Sequence, residues 1–203
     1  MNEPKPELFA RYDPFVKTSP LFSLSYNNGS EGILAVRPVW IIGDLFVINE
    51  WLGSELRKTN WHLNQGRMVV TQHYKYILLS GIAQSYMLEQ DTVPVIQFDL
   101  LPVQLTNYPN QVEFENADCV LHYLYKECFR DPGIFKRCLH CMLLYIFSYP
   151  EIGNLYLQLP KADSSMQELL TAIGFISINL SNFFGKPLNI YRIDRTRIQD
   201  VQA

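Results

Sequence analysis

The period of the apolar positions changes several times along the chain, and each change marks an element. From Gly32 to Pro38 the chain is apolar except for Arg37 and reads as a strand. Past Gly43 the spacing becomes helical. Asp44 stands as an N-cap, and Phe46, Val47, Glu50, Trp51 and Ser54 share a face that Leu45, Ile48 and Leu52 widen. The stretch 54–84 mixes polar and aromatic residues, with a helix expected near Val69–Ser80. His62 and His73 within it lack the partner spacing of metal ligands. Period two returns at Gln84–Glu89 and Val93–Leu101, a hairpin turned through Gln90-Asp91-Thr92. Asp99 lies inside the second of these strands, where an acid needs a partner or a wet cleft.

A strand-like run at Asp118–Tyr125 is followed by a polar loop, Lys126–Pro132, and an apolar helical run, Ile134–Phe147. A second strand follows at Leu155–Leu159. Strand, helix, strand is a βαβ crossover, so the two strands should lie parallel in one sheet. The next helix has the clearest local code: a capping box at Ser164–Gln167, Met166, Leu169, Leu170 and Ile173 at i, i+3, i+4 and i+7, and Gly174 as terminator. Strands at Ile176–Leu180 and Leu188–Ile193 complete the pattern. The first thirty residues are irregular, with short strands near Phe15–Val16 and Leu21–Tyr26.

Composition narrows the class. The 203 residues are 48% apolar and 18% charged, enough to bury a core and too apolar for general disorder; one domain spanning 1–203 is expected. A formal charge of −3 without a basic run argues against a nucleic-acid partner. No apolar run reaches the 18 residues of a membrane span, and the N-terminus lacks a signal-peptide core. A cytoplasmic protein with reduced thiols is expected. The 13% of aromatic residues, with so little charge, points to substantial buried or partner-facing surface, and a homodimer is expected. Cys138 and Cys141 have metal spacing with His140 between them. They sit in an apolar helical run, and Cys119 and Cys128 form no second pair of that spacing, so buried thiols and no metal are expected.

The segment 117–175 carries a resemblance. Asp118-Cys-Val-Leu-His122, Phe129-Arg-Asp-Pro-Gly133, Tyr145-Ile-Phe147-Ser-Tyr-Pro150 and Ile173-Gly174-Phe175 resemble the motifs of the GCN5-related N-acetyltransferases (GNAT), in the branch that acylates siderophore precursors. The spacing matches without a gap from Phe129 to Pro150. Departures lie in the loop, where the family's alternate glycines are Asp131, Gly133 and Phe135, and at Val120, where it has glycine. The strand Pro94–Leu101 is similar to the family's acid-bearing strand, with Asp99 for glutamate.

The resemblance implies an α/β acyl-CoA N-acyltransferase (GNAT) fold, a mixed sheet of six or seven strands flanked by helices. The strands of the crossover should splay at their C-terminal ends. Acetyl-CoA or another acyl-CoA is the implied co-substrate, held by Leu124, Phe129, Gly133, Ile134, Phe135, Lys136 and Arg137. A small amine or hydroxylamine is the implied acceptor, met by Trp51 and Asp99. Backbone N–H groups at the start of the helix suit a pyrophosphate, while Asp131 opposes it by charge and Phe135 limits close approach.

His122 is the candidate base, since imidazole takes up protons near neutral pH. Period two places it with Val120 and Leu124, which is equally the setting of a satisfied core histidine. Asp118 is its candidate orienting carboxylate. Asp163 is a second carboxylate or a helix cap. Trp51 is an acceptor contact or core. Two other classes stay open: a GNAT-fold domain that lost cofactor binding and serves as an interaction module, and a nucleotide- or flavin-binding α/β protein, for which no G-x-G-x-x-G or phosphate-loop lysine speaks.

Overall fold

The computed structural model of the chain describes residues 9–25, 32–54, 67–106, 113–125, 132–160, 164–183 and 186–198. Eight strands form a mixed sheet in the order β1-β2-β3-β4-β5-β6-β8-β7. They are β1 (Phe22–Ser25), β2 (Ile33–Pro38), β3 (Gln84–Gln90), β4 (Val93–Pro102), β5 (Cys119–Tyr125), β6 (Asn154–Pro160), β7 (Ile176–Phe183) and β8 (Lys186–Asp194). Among the described residues four helices accompany them: α1 (Ile41–Ser54), α2 (Arg67–Ser80), α3 (Pro132–Ile146) and α4 (Ser164–Ile173). The chain divides into two compact units, Met1–Asp99 with Tyr123–Arg130, and Leu100–His122 with Asp131–Ala203.

In the first unit β2 pairs antiparallel with both β1 and β3. The buried stripe of α1 is Ile41, Leu45, Ile48 and Trp51, packed with Val70, Tyr74, Leu78, Met87 and Leu124. Each of these aliphatic side chains contributes roughly 1.5–3 kcal/mol by leaving water. The stripe differs from the expected one. Phe46 is 71% exposed, and Asp44 is not the cap. The first helical hydrogen bond runs from the Asp44 N–H to the Trp40 carbonyl. The Asp44 carboxylate turns inward to Arg37 and reaches back to the Trp40 N–H at 2.7 Å. Fixing Asp44 inward puts residues 45, 48 and 51 on the core side and swings Phe46 to solvent.

The β3–β4 turn is tighter than expected, because Gln90 stays in its strand. Asp91 and Thr92 alone make the corner, both at positive φ, 49° and 71°, as a two-residue hairpin with strand-matched twist requires. The Asp91 carboxylate accepts from the Ile33 N–H at 2.9 Å, which ties the strained corner to β2.

In the second unit β5 and β6 run parallel, as the crossover predicts, and pair at Cys119↔Leu155 and Val120↔Tyr156. β6 keeps β8 as antiparallel neighbour along its whole length. A β5–β6 ladder confined to the first residues of both strands is what splaying produces. Cys138, Cys141, Met142, Leu143, Tyr145 and Ile146 of α3 are buried. The α4 terminus closes as the sequence predicts. The N–H groups of Gly174 and Phe175 donate to the carbonyls of Thr171 and Leu170, the double bond of a Schellman motif. Gly174 has φ 115°, and a Cβ there would meet the Arg197 carbonyl oxygen at 2.0 Å. The Arg195 guanidinium donates to the carbonyls of Phe147 and Tyr149, closing the chain beyond α3.

Candidate active site

Asp118 stands just before β5 and is fully buried. Its Oδ1 accepts from the backbone N–H and the side-chain amide of Asn154, each at 2.9 Å. Its Oδ2 accepts from Tyr156 Oη at 3.1 Å and the Glu115 N–H at 3.0 Å. Four donors on two oxygens tie the start of β5 to the start of β6. Burial, and then the Asp118 charge, pushes the Tyr156 phenol up to about 12 and the Cys119 thiol to about 12. The resemblance implies an orienting carboxylate for His122; the four bonds of Asp118 brace the start of the strand on which His122 stands.

His122 follows the paired residues Cys119 and Val120 by two positions. It is half-buried, whereas Val120 and Leu124 on the same side of the strand are fully buried. Downstream, Pro132 occupies the first position of α3, where a missing N–H leaves no broken helical bond. Gly133, Ile134, Lys136 and Arg137 are half-buried in the first two turns. Phe135 is 2% exposed, so its ring packs inward instead of limiting approach to the helix terminus. Phe129, Asp131 and Asp163 lie outside the described residues.

In the first unit two buried polar clusters stand on β2, β3 and β4. Arg37 donates to both oxygens of Asp44, at 2.6 and 2.8 Å, and to Glu89 Oε1 at 2.9 and 2.7 Å. Burial works to lower the Arg37 pKa, and the hydrogen bonds and charges of Asp44 and Glu89 outweigh it, so the net shift is upward. Lys17 adds a second cation to Glu89 at 3.3 Å. This cluster is closed: charge meets charge in each direction.

The second cluster is not closed. Asp99 is 1% exposed. Its Oδ1 accepts from Ser85 Oγ at 2.6 Å and from Gln97 Nε2 at 2.5 Å. Its Oδ2 is buried without a hydrogen-bond partner, and so are Gln97 Oε1, Tyr74 Oη and His73 Nε2. Native interiors rarely leave such groups unpaired, at a cost of about 1–3 kcal/mol each. Tyr74 is held neutral: burial first, then the charges of Asp99 and Asp44, raises its pKa well above the usual tyrosine range.

Sequence reasoning found Asp99 and Asp118 but not Ser85, Gln97, His73 or Glu89. An acid inside an apolar strand is visible in one dimension; its partners come from other elements and leave no spacing signal. Trp51 and Leu124, expected at the acceptor and the cofactor, are both walls of the first unit's core. Three of the four cysteines meet expectation: Cys119, Cys138 and Cys141 are buried and unbridged, and burial raises the thiols of Cys138 and Cys141, the latter to about 12; Cys128 lies outside the described residues. Among the described residues no cluster could hold a metal ion, and no helix is long and apolar enough to cross a membrane.

The sequence matches no protein-family model and no curated protein. Solved structures do match. An uncharacterised protein from Bacillus halodurans superposes with a TM-score of 0.76 at 16% identity, over 91% of this chain and 93% of that one. The aminoglycoside acetyltransferase AAC(6')-Ib in complex with coenzyme A and kanamycin gives 0.69 at 13%, over 84% and 99%. A chimera of spermidine N-acetyltransferase SpeG from Vibrio cholerae gives 0.65 at 13%, over 80% and 96%. The fold is therefore that of the GCN5-related N-acetyltransferases.

Proposed function

We propose that the protein is an acyl-CoA-dependent N-acyltransferase acting on a small primary amine, with acetyl-CoA as the natural first donor to try. The observation that carries this reading is the β5–α3–β6 crossover within the acetyltransferase fold. Its strands pair only at their start, and α3 begins at Pro132-Gly133, which sets a helix N-terminus after β5. Coenzyme A in the complex with AAC(6')-Ib and the amine named for SpeG support the same chemistry.

In this reading the first turn of α3 receives the pyrophosphate, with Gly133 allowing close backbone approach and Lys136 and Arg137 supplying positive charge. Asp99 holds the acceptor's ammonium group through its idle Oδ2. The ammonium first gives up one proton to water; the freed nitrogen lone pair forms a C–N bond at the thioester carbonyl carbon, the C–S bond breaks, and sulfur leaves with the electron pair. His122 takes a proton from the nitrogen as that bond forms, and the departing sulfur regains a proton to leave as thiol. Asp118 acts through position, by fixing the strand of His122. A hydroxylamine acceptor of siderophore type is the narrower form, supported by the resemblance over Asp118–Phe175 alone.

The test is release of free thiol from acetyl-CoA with a panel of aminoglycosides, polyamines, lysine and N6-hydroxylysine. Amine-dependent thiol release with stoichiometric N-acetylated product supports the reading. Thiol release equal to the amine-free blank across the panel contradicts it. The second reading, an interaction module, is favoured by the departure from the family's glycine at Asp131, and it predicts that blank.

A further inference from the structure

His73 stands on α2 and Asp99 on β4, within the same unit. His73 Nε2 lies 3.7 Å from Asp99 Oδ2. Both atoms are buried and neither has a hydrogen-bond partner. The side chains differ in one respect: that of Asp99 is 1% exposed and that of His73 is 32% exposed. The imidazole therefore faces the carboxylate with its buried Nε2 while about a third of its side chain is exposed to solvent.

The remaining neighbours cannot do this. Tyr74, next on α2, packs edge-on against the His73 ring. It is fully buried and held neutral by burial and by Asp99 and Asp44. Asp44, on α1, is bound to Arg37. Ser85 on β3 and Gln97 on β4 occupy Oδ1 and do not titrate.

An amine acceptor poses a proton problem that one base does not solve. A primary alkylamine, with a pKa near 10.4 as in lysine, is an ammonium at neutral pH. Acylation removes two protons from that nitrogen, the departing sulfur recovers one, and the other must reach water. We propose that His73 is the outlet for that second proton. It passes from the ammonium nitrogen to Asp99 Oδ2, then to His73 Nε2, directly or through one water, and the imidazole releases its Nδ1 proton to solvent. The carboxylate and the neutral imidazole are restored, so the relay is catalytic and needs no co-reactant. The inference rests on the acyltransferase reading above and adds to it a residue that neither the motifs nor the fold assigns.

The experiment is a double-variant cycle in kcat between pH 6 and 9, with thiol release as the assay and His73→Gln, Asp99→Asn and their combination as the variants. Glutamine keeps a polar amide beside Asp99 but cannot exchange a proton. A relay predicts that His73→Gln lowers kcat by about tenfold or more, leaves both KM values within about twofold, and costs almost nothing further in the Asp99→Asn background. A merely structural histidine predicts a lower melting temperature with kcat per folded molecule unchanged. Wild-type kcat in His73→Gln at every pH, or penalties that multiply in the double variant, overturns the relay while the acyltransferase reading stands. Wild-type protein releasing no thiol with any amine overturns both. His73→Asn, measured in the same way, replaces His73→Gln if that variant does not fold.

Discussion

Two buried aspartates, one in each compact unit, have nearly the same exposure and opposite environments. Asp118 spends both oxygens on four donors from Glu115, Asn154 and Tyr156. Asp99 spends one oxygen on Ser85 and Gln97 and leaves the other idle beside a half-exposed histidine. Burial alone therefore does not tell a fully bonded carboxylate from one with an oxygen to spare. The count of unspent lone pairs does, because a fully bonded carboxylate has nothing left with which to hold a substrate or a proton.

The comparison can be broken from either side. Asp118→Ala orphans at least two buried donors, at about 1–3 kcal/mol each. The expected loss is about 3 kcal/mol or more, read as a fall in Tm of roughly 6–12 °C for a chain of this size. A Tm within a degree or two of wild type would contradict that bracing role. Asp99→Asn should do the reverse, with Tm little changed and kcat about a hundredfold down, as for loss of an acid–base group. His122→Ala should give a similar loss in kcat with an unchanged Kd for CoA. An early melt with normal turnover in the folded fraction would make His122 a core residue.

Alkaline titration sharpens the same contrast with a smaller effect. Tyr156 is raised to about 12 by burial and by Asp118, above the ordinary tyrosine value of about 10. The fold favours its protonated form, so its contribution is complete below about pH 10 and is lost as pH rises toward 12. Tyr156→Phe should thus be less stable than wild type at pH 7, by roughly 1–3 kcal/mol for a bond to a charged acceptor. It should also lose less stability between pH 10 and 12. Parallel stability curves for the two proteins would contradict the Tyr156–Asp118 bond.

Much of the second unit was legible in the sequence, because its signals are local. The β5–α3–β6 order follows from three runs of different period, and the α4 terminus follows from Gly174 alone. The first unit was harder. Arg37 sits in an apolar strand and Glu89 in another, 52 positions away, and pairing them is a tertiary event. The same pairing drew Asp44 inward and moved the buried stripe of α1 off Phe46, so a local capping rule gave way to a buried ion pair. At the candidate site Asp99 could be singled out as an acid among apolar neighbours. His73 could not, since its relation to Asp99 exists only once α2 packs beside β4.

The central claim is that this fold still serves acyl-CoA, and titration of coenzyme A into the purified protein by calorimetry tests it most directly. The account predicts saturable heat with a Kd between about 1 µM and 1 mM, the range in which enzymes usually meet their substrates, and weaker binding when Lys136 and Arg137 are replaced together by alanine. Absence of any heat at millimolar coenzyme A would contradict it and leave the fold as a module for binding something else.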